Sequence, residues 1–387
     1  MIQKDLSLSA IVAGFVAVLV GFASSVAIVF QAAAAAGASN EIMASWLLAL
    51  GIGMAITCIG LSWYYKAPVI TAWSTPGAAL LATSLQGLTL AEATGVFIFT
   101  AILGVVIGLT GMFDRLTKLL PLPLASAMLA GILLQFGLAI FSAMQQELVL
   151  VSVMCLTYLV AKALSPRYAI LLVLLSGVLT VIFAGKLDLS GVTLTLATPI
   201  WVTPDFSLAA LLGVGLPLLL VTMASQNIPG VAVLRTSGYD TPVSPLITGT
   251  ALSTLLLAPF GAFSINLAAI TAAICSGSEA HANPTKRYVA GIAAGVFYLL
   301  AGLAGATVVA LFAAFPHAMV AALAGLALIS TIATNLQATT ADPEYRDAAV
   351  ITLLVTASGA SFFGIASAFW GLVAGVLALL VQRVRRR

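Results

Sequence analysis

Apolar residues run through this chain in long blocks that are separated by short polar turns. A membrane span needs about 20 apolar residues to cross about 30 Å of hydrocarbon, and most of these blocks are long enough. Turn-forming pairs such as Ser165-Pro166, Asn283-Pro284 and Asp342-Pro343 mark the boundaries. The pattern predicts an all-α polytopic membrane protein with fourteen segments, at 8–30, 43–63, 68–86, 91–113, 122–142, 147–164, 168–185, 206–234, 243–258, 259–277, 288–312, 317–337, 346–361 and 363–382.

Segments 3 and 10 are interrupted in a similar way. Residues 72–79 read Ala-Trp-Ser-Thr-Pro-Gly-Ala-Ala, and residues 262–269 read Ala-Phe-Ser-Ile-Asn-Leu-Ala-Ala. At an offset of 190 residues the two stretches share Ala, an aromatic residue, Ser and an Ala pair. Matched breaks in the two halves of a secondary transporter point to its substrate site. The alternative is that both breaks only kink helices that pack on their neighbours, which membrane helices tolerate.

Composition and charge support the membrane assignment. Charged residues make up 7% of the 387 residues, hydrophobic residues 62%, and the mean hydropathy is +1.18, which excludes an ordinary soluble domain. With both termini cytoplasmic, fourteen of the fifteen basic residues fall in inside loops and only Lys186 falls outside. The fourteen are Lys4, Lys66, Arg115, Lys118, Lys162, Arg167, Arg235, Lys286, Arg287, Arg346, Arg383, Arg385, Arg386 and Arg387.

The two halves also match outside the breaks. Gly95-Val96-Phe97 recurs as Gly295-Val296-Phe297, and Leu129-Ala130-Gly131 recurs as Leu323-Ala324-Gly325. The order of the matches is constant, which indicates a duplicated unit of seven segments. Because seven is odd, the second copy is inverted in the membrane, and inverted repeats suggest alternating access.

The breaks predict a binding site for an anion. Ser74 or Thr75 can cap a half-helix that runs from Pro76 to about Gln86. We expect a second half-helix to start near Ser264 to Asn266 and to approach from the opposite side of the membrane. Two helix N-termini that face each other would bind a carboxylate without a basic side chain. Trp73 and Phe263 lie beside the caps and are candidates to hold a flat apolar ligand.

A second set of candidate residues lies in segments 8 and 1. Gln226 and Asn227 are amides at membrane depth, and we expect them to face the same cavity; Ser24 and Ser25 are weaker candidates. The alternative for all four is hydrogen bonding between helices. The titratable pair after segment 10, Glu279 and His281, is a weak candidate for proton coupling, since a solvated cytoplasmic loop is the better explanation of it.

Other residues indicate packing. The glycine pairs Gly104/Gly108, Gly291/Gly295 and Gly371/Gly375 have the spacing of helix-packing surfaces. Cys58, Cys155 and Cys275 show no pairing pattern and are interpreted as small buried hydrophobic residues. The sequence predicts no metal site and no cofactor.

Three stretches resemble a known family. Residues 71–80, residues 221–227 and residues 268–275, with Ala366–Gly371 near the C-terminus, are similar to the benzoate:proton symporters of BenE type. The resemblance runs nearly end to end and implies the fold shared by uracil permeases and SulP anion transporters. In that fold segments 3 and 10 are each a short strand followed by a half-helix.

The resemblance also implies a division into two domains. A core would combine segments 1–4 and 8–11, here residues 1–113 and 206–312. A gate would combine segments 5–7 and 12–14, here residues 114–205 and 313–387.

One departure from the wider superfamily concerns proton coupling. Uracil-type relatives carry carboxylates in segments 8 and 10, whereas the matching positions here are Gln226 and the Ile265/Asn266 region. This suits an anionic substrate, which a carboxylate would repel, but it removes the obvious proton carrier. Protonation of the substrate itself stays open.

These observations predict a secondary transporter that imports benzoate or a similar aromatic carboxylate with a proton, by an elevator-like movement of core against gate. The alternative is an anion exchanger or channel on the same fold. An enzyme is disfavoured, because no metal pattern, Ser/His dyad or aspartate pair lies at membrane depth. The expected partners are the substrate, protons, the lipid bilayer of a bacterial inner membrane and a possible second copy, with no nucleic acid.

Overall fold

The computed structural model describes residues 5–113, 121–187, 189–190, 192–363 and 365–386. Its elements, in chain order, are α1 (Leu8–Ala35), α2 (Asn40–Tyr65), β1 (Thr71–Trp73), α3 (Thr75–Ser84), α4 (Leu90–Thr110), α5 (Leu122–Gln146), α6 (Leu148–Leu164), α7 (Ala169–Phe183), α8 (Leu208–Thr236), α9 (Val243–Leu257), β2 (Ile265–Leu267), α10 (Ile270–Ser276), α11 (Tyr288–Leu303), α12 (Gly305–Ala313), α13 (His317–Ala341), α14 (Arg346–Ala357) and α15 (Ser367–Arg386).

Each of the fourteen predicted segments coincides with a helix, a pair of consecutive helices or a strand followed by a helix. Eight of the described helices are long and apolar enough to cross a membrane by themselves: α1, α2, α4, α5, α8, α9 with the turn after it, α11 with the turn before it, and α13. The apolar helices α6 and α7 and the apolar part of α15 are shorter. The membrane-protein fold is confirmed, while the count of fourteen crossings stays a prediction. Four of the basic residues used for orientation, Lys4, Arg115, Lys118 and Arg387, lie outside the described residues.

The two interrupted segments meet as an antiparallel pair of strands. Ala72 lies opposite Asn266, with Thr71 opposite Leu267 and Trp73 opposite Ile265. At one end the N–H of Ser74 donates to the carbonyl of Ser264 at 3.0 Å, and at the other the N–H of Ala268 donates to the carbonyl of Ile70 at 2.9 Å. The predicted arrangement of a short strand followed by a half-helix is therefore confirmed in both halves.

The register of this pair corrects the predicted start of the second half-helix. The strands pair symmetrically at an offset of 194 residues, not the 190 residues that the sequence match suggested. Residues 265–267, where a helix was expected to start, are strand β2, and α10 begins only at Ile270. The prediction was wrong because the shared Ala, aromatic and Ser positions reflect composition, whereas backbone pairing sets the true equivalence. Ser74 therefore corresponds to Ala268 rather than to Ser264.

Small residues allow the long helices to pack closely. A Cβ atom added at Gly51 of α2 would lie 2.7 Å from the Cα of Gly302 and from the carbonyl oxygen of Tyr298, both in α11. The predicted packing role of the glycine pairs is confirmed. Added Cβ atoms there would overlap neighbouring helices, at Ser62 and Ile59 for Gly291 and Gly295, at Ala251 and Thr248 for Gly104 and Gly108, and at Thr356 and Thr352 for Gly371 and Gly375.

The segment between α7 and α8 lies against elements of the expected core. The N–H of Ala197 donates to the carbonyl of Leu303 at 2.9 Å, and the N–H of Ile200 donates to the hydroxyl of Ser45 at 2.9 Å. Further along, the N–H of Asp205 donates to the carbonyl of Ala91 at 2.9 Å. Residues 197–205, which the expected boundary assigns to the first half of the gate, therefore contact α2, α4 and α11.

A cluster of charged and aromatic groups ties the chain before α1 to the start of α11. Asp5 accepts a hydrogen bond from the Tyr288 hydroxyl at 2.9 Å and forms an ion pair with Lys286 at 3.3 Å. These two groups hold the pKa of the Asp5 carboxyl below its usual value. The ammonium of Lys66 lies 4.2 Å from the centre of the Tyr288 ring. The cluster holds together the ends of α1, α2 and α11 at one surface of the molecule.

The contact between Gly51 and Gly302 gives a test of this packing. We expect Gly51→Ala to destabilise the protein by about 1–3 kcal/mol, because the added methyl group overlaps the backbone of α11. Gly60 of the same helix is the matched control, since an added Cβ meets no atom within 4 Å there. Gly60→Ala should be neutral or stabilising by up to about 1 kcal/mol. Thermal unfolding of both purified variants in detergent measures the difference, and equal stability of the two would contradict the packing.

Candidate functional site

The first half-helix is capped by its own side chain. Ser74 is fully buried, and its Oγ accepts the N–H of Gly77 at 2.9 Å. Pro76, the second residue of α3, has no N–H. Of the first three positions of the helix, only Thr75 therefore keeps a backbone N–H without a partner in the described residues. Thr75 is also partly exposed, so this donor lies beside accessible space.

The polar group nearest to this cap is the amide of Asn266. The carbonyl oxygen of Ser264 accepts hydrogen bonds from both the N–H of Ser74 and the Nδ2 of Asn266, which places the Asn266 amide beside the first turn of α3. Asn266 is 1% exposed, and its Oδ1 has no hydrogen-bond partner among the described residues. Ser264 adopts a left-handed backbone conformation with φ of +44°, and its hydroxyl pairs with that of Thr222 at 2.8 Å.

The second half-helix differs from the first at its start. No side chain caps α10, and its first residue, Ile270, is 76% exposed. The next residue, Thr271, is buried, and its Oγ1 has no hydrogen-bond partner in the described part of the chain. The first turn of α10 therefore combines an exposed apolar side chain with a buried hydroxyl that lacks a partner among the described residues.

Trp73 is held in place by α1. Its indole N–H donates to the Oγ of Ser25 at 2.8 Å, and Ser25 donates in turn to the carbonyl of Gly21 at 2.7 Å. Its ring packs edge-on against Phe22, with the ring centres 5.3 Å apart. Trp73 is only 4% exposed, whereas Phe22 is partly exposed. Of this aromatic pair, Phe22 has the larger share of accessible surface.

The structure separates the two amides of α8. A π-helical turn at Met223–Asn227 includes both of them, and such turns are frequent at functional sites. Asn227 is buried, and its Oδ1 accepts the N–H of Leu267 at 3.1 Å, so it has the structural role of pairing the backbone of β2. Gln226 is partly exposed, and its amide has no hydrogen-bond partner among the described residues.

The remaining predicted residues lie elsewhere. Phe263 is fully buried in an aromatic cluster with Trp46 and Phe97, at centre-to-centre distances of 5.9 Å to each. Ser24 donates to the carbonyl of Gly21 at 3.0 Å and does not contact Trp73. His281 and Glu279 lie in the loop after α10, where the Nδ1 of His281 accepts the N–H of Asn283 at 2.9 Å and Glu279 is exposed.

Residues on and beside the two interrupted segments combine buried polar groups with accessible apolar surface. We define the crossing site as Phe22, Ala72, Thr75, Gln226, Asn266, Ile270 and Thr271. Phe22, Ala72, Ile270 and Thr271 were not predicted, because an isolated apolar or hydroxyl residue in an apolar segment gives no signal in the sequence. Ala72 is directly opposite Asn266 and is partly exposed although it lies in the strand pair.

A separate small cavity lies behind the crossing, between α4, α8, α9 and the start of β2. Its volume is about 30 Å³, and its polar lining comprises Thr100, Thr222, Asn227, Thr250, Thr254 and Ser264. A cavity of this size has room for ordered water beside its polar lining.

Comparison with known proteins identifies the family. The family model described as "Benzoate membrane transport protein" (BenE) matches residues 4–381. The chain belongs to this family. The family is one of membrane transport proteins, so the protein is a transporter and not an enzyme.

Two relatives cover almost the whole chain. The "Inner membrane protein YdcO" of Escherichia coli strain K12 is 50% identical over 380 residues, covering 97% of this chain and 97% of its own. The "Benzoate membrane transport protein" of Acinetobacter baylyi is 44% identical over 380 residues, covering 98% of this chain and 96% of its own.

Solved structures share the fold of this BenE-family protein. SLC26A9 superposes with a TM-score of 0.62 at 13% identity, covering 97% of this chain and 66% of its own. The transmembrane domain of the cyanobacterial bicarbonate transporter BicA has a TM-score of 0.59 at 14% identity, covering 96% of this chain and 97% of its own. These likenesses confirm the expected fold.

The hydrogen bond between Trp73 and Ser25 leads to a testable prediction. In a double-mutant cycle, Trp73→Phe and Ser25→Ala should show a coupling energy of about 0.5–1.5 kcal/mol, because together they remove one buried hydrogen bond. Ser24→Ala is the matched control and should show no coupling to Trp73→Phe. Thermal unfolding of the purified variants measures both cycles. Equal coupling of Ser24 and Ser25 to Trp73 would exclude the specific bond.

Proposed function

We propose that this protein imports benzoate or a similar aromatic carboxylate together with a proton, and that the substrate binds at the crossing site. The main support is the set of unpaired polar groups on and beside the two interrupted segments. Thr75 N–H, Asn266 Oδ1, Thr271 Oγ1 and the Gln226 amide have no hydrogen-bond partner among the described residues. Unpaired polar groups are costly in a membrane protein, so a polar ligand is the simplest reason for their presence.

Apolar side chains at the same place suit the ring of an aromatic acid. Phe22 presents accessible aromatic surface beside Trp73, and Ile270 projects from the first turn of α10. A flat ring would contact Phe22 and Ile270 while its carboxyl group reaches the polar groups at the strand crossing. Trp73 would then act by holding Phe22 in position rather than by stacking on the substrate.

Transport requires the crossing site to open alternately to the two sides of the membrane. We retain the division into a core of residues 1–113 and 206–312 and a gate of residues 114–205 and 313–387, with one refinement. Residues 197–205 hydrogen-bond to α2, α4 and α11, so they would move with the core. The two half-helices and their strands would then shift as one rigid unit against α5 and α13.

Proton coupling follows from the charge of the substrate. Importing a monoanion into an inside-negative cell costs about 2.3 kcal/mol per 100 mV, and a co-transported proton cancels that charge. Each pH unit of gradient adds about 1.36 kcal/mol. Glu279 and His281 lie in a loop outside the crossing site and stay weak candidates as proton carriers.

The proposed cellular location and orientation rest on the charge distribution and on the relatives. We place the protein in a bacterial inner membrane as a multi-pass protein with both termini in the cytoplasm, since basic residues concentrate in the loops on that side. A homodimer is compatible with the exposed apolar faces of α6 and α7, which lipid could equally cover.

Uptake into proteoliposomes tests the proposed function. With an inward proton gradient, radiolabelled benzoate should accumulate above its equilibrium level, because the gradient drives an electroneutral symport. A protonophore should abolish this accumulation. Liposomes without protein are the control, since benzoic acid crosses lipid by itself.

Two other outcomes would contradict the proposal. Uptake that ignores the proton gradient and depends on an internal counter-anion would indicate an exchanger instead. Absence of protein-dependent benzoate movement would exclude benzoate as the substrate.

The unpaired amide of Gln226 gives a second prediction. Gln226→Ala should weaken benzoate binding about 5- to 30-fold, because it removes a hydrogen bond to the carboxyl group, and should leave stability unchanged. Gln337→Ala is the matched control, as Gln337 is exposed near the end of α13. Calorimetric titration of the purified proteins measures both. Unchanged affinity in Gln226→Ala would remove Gln226 from the binding site.

A further inference from the structure

The crossing site has hydrogen-bond donors but also a buried acceptor that no group of the described residues satisfies. The Nδ2 of Asn266 donates to the carbonyl of Ser264, so its Oδ1 points away from that carbonyl. The opposite amide orientation would bring two acceptor oxygens together and is excluded on that ground. With 1% exposure and no partner for Oδ1 among the described residues, Asn266 holds an unpaired acceptor beside the first turn of α3.

This acceptor distinguishes the two forms of a carboxylic acid. An ionised carboxylate only accepts hydrogen bonds, so its oxygens repel the lone pair of Asn266 Oδ1. A protonated acid has one O–H donor and one carbonyl acceptor. The O–H can donate to Asn266 Oδ1 while the carbonyl accepts from the N–H of Thr75. The free N–H of Thr75 serves either form, and the hydroxyl of Thr271 and the amide of Gln226 adapt to either. The deciding group is therefore Asn266.

The electrostatics of the crossing site also favour the protonated, neutral form of the acid. Every Lys, Arg, Asp, Glu and His of the described residues lies in a loop or near the end of a helix rather than at the strand crossing. The end of a helix dipole stabilises an anion by up to about 2 kcal/mol in a partly buried setting, whereas the effective penalty for removing an ion from water is several kcal/mol.

We infer that the crossing site binds the aromatic acid in its protonated form, with the acid O–H donating to Asn266 Oδ1, so that the substrate itself carries the coupled proton. This inference rests on the proposed function. On the outer side the carboxylate takes one proton from solution and forms an O–H bond. On the inner side that bond breaks and the proton enters the cytoplasm. Each cycle moves one proton and one carboxylate with no net charge, and no titratable side chain is required.

The decisive experiment is infrared difference spectroscopy on the full-length wild-type protein with benzoate labelled with ¹³C at the carboxyl carbon. Bound benzoic acid should give the carbonyl stretch of a protonated acid, shifted by the label, at a pH where free benzoate is ionised. The paired stretches of a carboxylate would overturn the inference. The proposed function would stand in that case if proteoliposome uptake remains proton-driven. If no protein-dependent uptake occurs, the proposed function fails and this inference fails with it.

Binding of benzoate analogues gives an independent measurement. Affinity for total benzoate should fall about tenfold per pH unit above the pKa of its carboxyl group, since only the protonated fraction binds. Benzamide, which has a donor and an acceptor at every pH, should bind without this dependence. Benzenesulfonate, which stays ionised, should not bind. Tight binding of benzenesulfonate would overturn the inference, because it would show that the site accepts an anion.

A matched pair of variants assigns the effect to Asn266. Asn266→Leu should lose about tenfold to a hundredfold in benzoate affinity, because the acid O–H loses its acceptor. Asn335→Leu is the control, since the Asn335 amide bonds the carbonyl of Thr331 in its own helix, at 2.8 Å. Wild-type affinity in a folded Asn266→Leu variant would overturn the assignment. If that variant does not fold, the wild-type infrared spectrum still decides.

Discussion

In hydrocarbon an unpaired peptide group costs several kcal/mol, so a chain that leaves the helical conformation inside a membrane must pair its backbone elsewhere. Here each interrupted segment supplies the missing partners for the other through the pairing of β1 with β2. Neighbouring side chains complete the pairing. The hydroxyl of Thr254 accepts the N–H of Ile265 at 3.0 Å, and the sulfur of Cys58 accepts the N–H of Thr71 at 3.2 Å. The positions of α3 and α10 follow from this pair of strands.

The two halves are equivalent in backbone and different in chemistry. Thr254 and Cys58 each accept the backbone N–H of the first residue of a strand, but Thr254 does so with a hydroxyl and Cys58 with a thiol. The side chain of Ser74 caps the N-terminus of α3, whereas no side chain caps α10. In the first turn of α10, the Oγ1 of Thr271 has no hydrogen-bond partner among the described residues. The paired strands and their half-helices have a symmetric backbone and an asymmetric set of polar groups. Such an arrangement can move as a rigid body and still bind a ligand in one orientation.

The polar groups of the crossing site are neutral, and this distinguishes it from sites that hold an ion through opposite charge. A neutral site has no fixed counter-charge to move across the membrane potential. Its affinity then depends on hydrogen-bond complementarity and apolar contact, both of which are short-range. A change of one donor or acceptor at the strand crossing is therefore expected to alter substrate selection more than a change of a surface charge would.

The class of the protein and its interrupted segments were readable from the sequence, because apolar length, charge asymmetry and turn residues are local properties of the chain. The sequence also offered Ser74 or Thr75 as the cap of α3, and the structure shows that the cap is Ser74. Only the tertiary structure decided the register, since the 194-residue equivalence depends on which backbone groups pair across the molecule. The same pairing gave Asn227 a structural role and left Gln226 free, and it showed Phe263 in the aromatic core. It also brought Phe22 and Thr271 to the site. The role of each of these residues depends on which polar groups lack a hydrogen-bond partner after folding. A local sequence pattern does not show this.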